Sequence, residues 1–313
     1  MILVTGANGY VARSVLQALA SDPNRGPVRG LVRSEGQSDR VRRLGADPVR
    51  GDVTDVASLD AAMQGVDTVI HLAAVNRDRG QVTMERINAQ GAVNVAEAAR
   101  RAGVKHIVSV VGLGADARRP YPLAHTQGVG VDAIVASGVP YTILEASVIF
   151  GEGDEFLNTL AGLARIPPVM VVPGDGRSKF QPIAVRDVAS CVVRSLGNPQ
   201  ARNARLQICG GEVLTLEQII DAILAEMGVK RAKVHMPVGL LKIGVGIMDK
   251  VLPKPPVTPS LLAQLGVDNV ATDNATEKVF GVQPIKLREG IGYVRDMTFG
   301  FLVKRSLGRV EYR

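Results

Sequence analysis

The sequence predicts an α/β protein with a doubly wound parallel sheet and a small C-terminal lobe. Two observations predict this class. A buried strand, a glycine-rich turn and a helix follow one another at the start of the chain. Strand and helix patterns then alternate over roughly 150 residues, as in parallel sheets whose strands are joined by right-handed helical crossovers.

The opening segment has the features of a dinucleotide-binding turn. Ile2–Val4 is a short aliphatic run that fits a buried strand, and Tyr10–Ala20 has the apolar spacing of a helix. Gly6 lets the chain turn, and Gly9 lets a pyrophosphate approach the backbone N–H groups of the helix start. The small Ala12 lets the helix pack closely on the strand. With these flanking elements, the glycine spacing predicts a Rossmann-type dinucleotide site.

Further strands and helices continue the alternation. The predicted strands are Val28–Val32, Pro48–Val53, Thr68–Ala74, His106–Val111 and Tyr141–Leu144. The predicted helices are Val41–Gly45, Val56–Met63, Asn88–Ala102 and Gly128–Ala136. We expect residues 1–150 and 180–210 to form the dinucleotide-binding domain. Residues 151–179 and 211–313 are then expected to form a small lobe for a substrate or a partner.

Composition argues against several classes of protein. The chain is 46% hydrophobic and 21% charged, which indicates a globular protein. Its net charge of +7 comes from scattered basic residues, and only 4% of residues are aromatic, so we expect no nucleic-acid binding. Cys191 and Cys209 lack metal-ligand spacing, so we expect no metal and a reducing compartment. The first strand starts at residue 2 and no apolar run approaches the roughly 20 residues that span a bilayer, so a cytoplasmic location without a leader is expected.

The end of the second predicted strand bears on the choice of cofactor. Enzymes that use NAD place Asp or Glu there, where the carboxylate binds the ribose 2′-hydroxyl. This chain has Arg33 followed by Ser34, and Arg13 lies just inside the first helix. A guanidinium suits a 2′-phosphate that a carboxylate would repel. We therefore expect NADP, with NAD as the less favoured alternative.

Several motifs resemble those of the extended and atypical short-chain dehydrogenase/reductases. They are Thr5–Ala12, Gly51–Val53, His71–Ala74, Asn88, Ser137–Leu144, Ser147–Gly151 and Phe180–Ala189. The later segments are most similar to the branch that contains the Rossmann-type accessory subunit of respiratory complex I and its bacterial relatives. This resemblance covers most of residues 1–225 and implies an NAD(P)-binding Rossmann fold.

The resemblance also implies where a cofactor would lie. Asp52 and Val53 would contact the adenine, Ala73 and Ala74 would line the ribose side, and the loop 146–148 would border the nicotinamide. Together with the opening turn and Arg33, the predicted cofactor-binding residues are Thr5, Gly6, Asn8, Gly9, Tyr10, Val11, Arg33, Asp52, Val53, Ala73, Ala74, Val110, Tyr121, His125, Ala146 and Val148.

The family's catalytic residues are only partly present. Active members use Tyr-x-x-x-Lys, whose spacing of one helical turn puts both side chains at the same substrate edge. Here the stretch reads Tyr121-Pro-Leu-Ala-His125. A His with an ordinary pKa near 6.5 is mostly neutral at pH 7 and gives little help in ionising a Tyr. The predicted catalytic residues are therefore Tyr121, as proton donor, and His125, as a modified partner.

The family's upstream Ser is also displaced. It would fall at residues 110–112, whereas Ser109 lies one or two positions earlier. Either an insertion brings Ser109 into the site, or Ser109 is an ordinary strand residue, which the alternation of the strand favours. The stretch Leu144-Glu-Ala146 likewise stands where relatives usually have Leu-Arg-Pro. His71 and His106 are expected to be structural histidines.

The stretch Val238–Leu252 is apolar around most of a helix and carries three glycines. It could close the lobe, dock onto a partner, or lie on a membrane surface, where Lys242, Lys250 and Lys254 would suit anionic lipids. Two functions follow as hypotheses. One is an NADP(H)-dependent oxidoreductase that reduces a carbonyl or quinone-like small molecule. The other is a non-catalytic cofactor-binding subunit of a membrane-associated complex.

Overall fold

The computed structural model describes residues 1–23, 25–253, 255 and 257–309. Lys254 of the predicted basic group and the tail 310–313 lie outside these residues. The chain divides into two compact units. The first comprises residues 1–146, 185–208 and 273–282, and the second comprises residues 147–184, 209–272 and 283–313.

The bounds of the strands and helices are as follows. The strands are β1 Ile2–Thr5, β2 Val28–Val32, β3 Asp47–Arg50, β4 Thr68–His71, β5 His106–Gly112, β6 Tyr141–Ala146, β7 Ile149–Phe150, β8 Val169–Pro173, β9 Lys179–Phe180, β10 Ile183–Ala184, β11 Ala204–Ile208, β12 Leu214–Thr215 and β13 Ala232–Met236. The helices are α1 Tyr10–Ala20, α2 Glu35–Arg43, α3 Val56–Ala62, α4 Gly91–Arg101, α5 Pro122–Ala136, α6 Phe156–Ala164, α7 Val185–Ser195, α8 Leu216–Glu226, α9 Val238–Val251, α10 Pro259–Gln264, α11 Ala275–Lys278, α12 Leu287–Gly290 and α13 Phe299–Ser306. A π-helical segment Glu85–Gln90 precedes α4, and a 3-10 helix Gly292–Asp296 follows α12.

The first unit is built on a seven-stranded sheet in the order β11-β6-β5-β4-β1-β2-β3, with every neighbouring pair parallel. The predicted doubly wound parallel sheet is confirmed. β1 lies in the interior of the sheet, and its residues are buried. The chain winds from β1 to β2 on one side and reaches β4 on the other, so the strand order reverses beside β1. A crevice for a ligand is expected at the carboxyl ends of strands at such a point.

Several predicted elements differ in their bounds. β3 ends at Arg50 instead of Val53, because Asp52 accepts hydrogen bonds from the Thr54 N–H and hydroxyl and so turns the chain. α2 begins six residues before the predicted Val41, since its mostly polar surface gives little apolar periodicity. α5 begins at Pro122 instead of Gly128, with the proline in the first turn, where its missing N–H costs no hydrogen bond.

The second unit has short strands around an apolar core. β8 pairs with β13 and β7 with β10, both parallel, while β9 and β12 are antiparallel. Phe150, Phe180, Leu216 and Ile220 are buried in its core. α8 starts after Thr215, whose side chain caps the helix in a reciprocal capping box with Gln218.

Candidate cofactor site

The turn between β1 and α1 has no room for a side chain at Gly6. Gly6 has a φ of +67°, and a Cβ added there would lie 2.7 Å from the backbone of Leu72 and Ala73. The Gly9 N–H donates to the Gly6 carbonyl at 2.8 Å. Gly9 caps α1 without a side chain, and the first turn of the helix has no acidic residue. The helix start therefore keeps N–H groups available for an anion.

A cavity of about 240 Å³ opens beside this turn, within the first unit. It is lined by the chain at the carboxyl ends of β1, β2, β3 and β4. Eight of the residues that line it were predicted from the sequence to bind the cofactor: Gly6, Asn8, Gly9, Arg33, Asp52, Val53, Ala73 and Ala74. The lining residues that sequence reasoning missed are Leu31, Gln37, Gly51, Leu72, Val75, Val82 and Ile87. The structure thus brings half of the sixteen predicted positions to one hollow at the point where the strand order reverses.

Arg33 and Gln37 form the polar side of this cavity at the start of α2. The Arg33 N–H donates to Oε1 of Gln37 at 3.0 Å, while Arg33 itself is exposed. Asp52 follows the neighbouring strand β3, which pairs with β2, and its Oδ1 accepts hydrogen bonds from Thr54. The Asp52 carboxylate is thus tied into its own turn. Gln37 lies in the first turn of α2, and its side chain reaches back to the Arg33 backbone before the helix.

Thr5 lies under the cavity and does not line it. Its side chain is fully buried, and its Oγ1 is 2.8 Å from Nδ1 of His71. Burial lowers the pKa of His71 to about 4, so the imidazole is neutral at pH 7. His71 is therefore a hydrogen-bonded core histidine, as predicted. Tyr10 and Val11 likewise lie outside the cavity lining.

A second, much smaller hollow lies between β5 and α5. Val110, Ser109 and Gln127 line it together with Ala73 and Ala74, which line both hollows. Ser109 is buried within β5, where it pairs with His71 and Ile143. Oε1 of Gln127 accepts the Gly112 N–H at 2.9 Å. Gln127 is a polar residue at the strand end that sequence reasoning missed.

Two side-chain amides, one in the π-helical segment and one in α4, bond to the backbone of this region. Oδ1 of Asn88 accepts the Val75 N–H at 2.8 Å, and its Nδ2 donates to the Val75 carbonyl at 2.8 Å. Nδ2 of Asn94 donates to the Val53 carbonyl at 2.9 Å. Both amides fix the backbone of residues that line the larger cavity, Val75 and Val53, but the amides themselves do not line it.

Tyr121 and His125 lie at the start of α5. Tyr121 precedes the helix and is 41% exposed, and its carbonyl accepts the His125 N–H at 2.9 Å. Nδ1 of His125 is 2.5 Å from the Ala117 carbonyl, which can only accept, so Nδ1 carries the proton. Nε2 is then the nitrogen left to act as an acceptor. Neither residue lines the two hollows described above.

The last two predicted residues fall in different units. The Ala146 carbonyl, at the end of β6, accepts the Leu113 N–H at 2.7 Å in the first unit. Val148 belongs to the second unit, where its N–H donates to Oδ1 of Asn269 at 2.9 Å. Beside Ala146, the buried Glu145 forms an ion pair with Arg205 at 2.6 Å. Glu145 lies in the stretch 144–146, where the sequence departs from the family's Leu-Arg-Pro.

In residues 1–23, 25–253, 255 and 257–309, no group of three or more His, Cys, Asp or Glu is placed to hold a metal ion. Within the same part of the chain, every helix is too short or too polar to cross a membrane.

The comparisons with known proteins agree with this geometry. The sequence profile of the NAD(P)H-binding family matches residues 6–199. Ceramide reductase of Caulobacter vibrioides is 30% identical over 245 residues, which are 78% of this chain and 76% of that protein. The mitochondrial NADH dehydrogenase [ubiquinone] 1 alpha subcomplex subunit 9 of Dictyostelium discoideum is 25% identical over 75% of this chain and 66% of its own length.

A solved structure supports the fold. The NADPH-dependent quinone oxidoreductase of Escherichia coli, complexed with NADPH, superposes with a TM-score of 0.75. It is 21% identical and the match covers 94% of this chain and 99% of that chain. The profile covers well over half of the sequence. The chain therefore belongs to the NAD(P)H-binding family and is an atypical short-chain dehydrogenase/reductase-like protein of the Rossmann type.

Proposed function

We propose that the protein is an NADP(H)-dependent oxidoreductase that reduces a carbonyl or quinone-like small molecule. The observation that carries the proposal is the cavity with Arg33 at the end of β2, where NAD enzymes place a carboxylate. NADPH, when bound, supplies a hydride to the electrophilic atom of the substrate. Tyr121 would then donate its phenolic proton to the substrate oxygen, and a proton from solvent, relayed through Nε2 of His125, would restore the phenol.

The cofactor preference rests on charge. Arg33 is exposed at the cavity wall, and its guanidinium suits the 2′-phosphate that distinguishes NADP from NAD. Gln37 adds an amide within reach of the same backbone. The carboxylate of Asp52, after the neighbouring strand β3, is held by Thr54 and would leave the phosphate to Arg33.

The lobe and the location belong to the same proposal. We assign the substrate or partner role to the C-terminal lobe predicted from residues 151–179 and 211–313. A cytoplasmic location, with peripheral contact to a membrane or complex, is supported by Cys191 and Cys209. Both are buried, and neither forms a disulfide, as in proteins of reducing compartments.

A second candidate function is a non-catalytic cofactor-binding subunit of a membrane-associated complex. Two observations favour it. His125 replaces the family's Lys and has Nδ1 bonded to the Ala117 carbonyl, and Ser109 is buried in its strand. The relative from Dictyostelium discoideum is itself a subunit of NADH dehydrogenase. In this case α9 would supply the contact with the complex or the membrane.

Nucleotide titration separates these functions. NADPH and NADH are titrated into the purified protein by nicotinamide fluorescence, and oxidation of the bound nucleotide is then followed against quinones and carbonyls. Steady oxidation that falls about a hundredfold in Tyr121→Phe supports the reductase, since general acid catalysis contributes at least that much. Tight binding without oxidation supports the subunit. If neither NADPH nor NADH binds, both proposed functions are contradicted.

His125→Lys refines the result. If only the Lys charge is missing, this variant gains activity because the ammonium lowers the pKa of Tyr121. An unchanged rate would indicate that the displaced Ser109 is also limiting. Lys242→Gln, far along the sequence in α9, is the matched control and should leave oxidation unchanged.

A further inference from the structure

Helix α9 carries an apolar stripe that faces solvent. Leu240, Ile243, Ile247 and Val251 recur at helical spacing and are each between 60% and 72% exposed. The opposite face packs inward through Val245, which is 4% exposed. Because the Val245 face already packs α9 against its own unit, the exposed stripe has no packing role within that unit. It is a surface for contact with something else.

A second helix of the same unit extends this surface. Along α13 and its end, Phe299, Val303 and Leu307 recur every four residues and are 39–51% exposed. The two helices meet at their C-terminal ends, since a Cβ on Gly308 would lie 3.6 Å from Cβ of Pro253. The C-terminal ends of α9 and α13 are therefore close to each other, and each helix exposes an apolar stripe.

The charge around both stripes is mainly positive. The exposed cations of the two helices and their ends are Lys242, Lys250, Lys304 and Arg309, while Asp249 is the exposed acid of α9. The chain as a whole carries a net charge of +7. An aliphatic stripe flanked by lysines matches the boundary between anionic lipid headgroups and acyl chains.

A protein partner fits these features less well. The α9 stripe holds no aromatic or Arg anchor of the kind that dominates protein interfaces. The stripe on α13 adds one aromatic side chain, Phe299, and no Arg. A bilayer needs no shape complementarity, and its binding grows with apolar area and charge. We propose that α9, with α13 beside it, seats the protein on the surface of an anionic lipid bilayer.

Vesicle flotation tests this proposal independently of turnover. The full chain is mixed with phosphatidylcholine vesicles with and without about 30 mol% phosphatidylglycerol, at low salt and at about 0.5 M NaCl. We expect binding to the anionic vesicles that weakens several-fold in high salt. Ile243→Asn/Ile247→Asn should weaken binding on the order of tenfold or more, because it removes two inserted aliphatic side chains. Val213→Asn, at a valine of the same unit that is 49% exposed, is the matched control and should bind like the wild type.

A tryptophan reporter locates the contact. The chain contains no Trp, so Leu240→Trp introduces a single one. Its fluorescence should shift to the blue on vesicles and be quenched by brominated acyl chains, whereas Val213→Trp should do neither. Equal binding by the wild type and Ile243→Asn/Ile247→Asn, or an unquenched Trp at position 240, would overturn the proposal. So would stripe-dependent dimerisation without vesicle binding, which would identify a second copy as the occupant. Far-ultraviolet circular dichroism and a cooperative thermal transition like that of the wild type show that each variant is folded.

Discussion

Arg205 donates two hydrogen bonds to Oε1 of Glu145, from Nε at 2.9 Å and from Nη2 at 2.6 Å. The two residues lie on the neighbouring strands β11 and β6. The same Nη2 donates to the Ala115 carbonyl at 3.0 Å. One guanidinium therefore joins the edge of the sheet to the loop that leads from β5 to Tyr121. Glu145 is nearly buried, whereas Arg205 is 41% exposed.

Removing the cation from this pair should destabilise the first unit. In Arg205→Met the Glu145 carboxylate stays buried without its partner, so we expect the free energy of unfolding to fall by about 1–3 kcal/mol, less than for a fully buried pair. Urea titration measures the change, and the exposed Arg202→Met serves as control. Glu145→Leu/Arg205→Met should recover part of the loss; a loss as large as in Arg205→Met alone would contradict this account.

Gly128 should not tolerate a methyl group. A Cβ at this position in α5 would lie 2.1 Å from the Ala117 backbone nitrogen, so the loop 115–118 would have to move. We expect Gly128→Ala to lower the free energy of unfolding by roughly 2 kcal/mol or more, as overpacking does. Gly36→Ala in α2 has open space around it and should stabilise the protein slightly, by up to about 1 kcal/mol. Thermal unfolding of both variants checks this, and similar melting temperatures would disprove the steric argument.

Arg33→Asp tests the proposed cofactor preference. The change places a carboxylate against the 2′-phosphate of NADPH, so NADPH affinity should fall about tenfold or more. NADH affinity should change little, because its 2′-hydroxyl can donate to the new acid. Fluorescence titration of both nucleotides measures the ratio. Arg43→Asp, an equal charge change outside the cavity lining, is the control. Equal affinities before and after the change would refute the role of Arg33.

Asp154 should make stability fall with rising pH. It is buried in the second unit, where Tyr293 Oη donates to its Oδ2 at 2.5 Å. Burial raises the pKa of Asp154 to about 6, against these hydrogen bonds. Between pH 4 and pH 6 the unfolded chain has released this proton while the folded chain retains it. The free energy of unfolding therefore drops across this window, by on the order of 3 kcal/mol from this group.

The comparison of Asp154→Asn with the wild type isolates that effect. The lowered pKa of His71 acts in the opposite direction, since stability from a neutral histidine is lost as pH falls from 6.5 towards 4. This contribution is the same in both proteins and cancels in their difference. Urea titrations at several pH values should show the variant gaining stability relative to the wild type from pH 4 to pH 6. Asp249→Asn, at an exposed acid, should show no such trend.

Local sequence predicted the sheet well and the rest less well. β1 and α1 were predictable because strand burial, glycine spacing and helix periodicity all lie within the first 20 residues. The start of α5 was not, because Pro122, His125, Thr126 and Gln127 leave its first turns with little apolar periodicity. Gly128 and Gly130 lie in the part of the helix that was predicted. Both glycines serve tertiary contacts, with the backbone of Asp116 and Asn88 respectively. The two-residue strands of the second unit have no periodicity to detect.

The candidate site divides in the same way. Gly6, Asn8 and Gly9 were predictable because the turn they form is continuous in sequence. Val82 and Ile87 reach the cavity from a segment more than ten residues beyond β4, and only the fold brings them there. The resemblance placed Thr5 in the cofactor set, but its hydroxyl is bonded to His71 below the cavity. Such a contact depends on strand pairing between β1 and β4, which motif spacing does not reveal.

The two cysteines give each compact unit its own chemical reporter of opening. Cys191 belongs to the first unit and Cys209 to the second, and both thiols are fully buried. Burial raises the pKa of Cys191 to about 12 and also raises the pKa of Cys209, so both are protonated and shielded in the folded chain. A thiol-reactive label can therefore modify each one only when its surroundings open. Pulse labelling followed by peptide mass spectrometry would time the opening of the two units separately in a single sample.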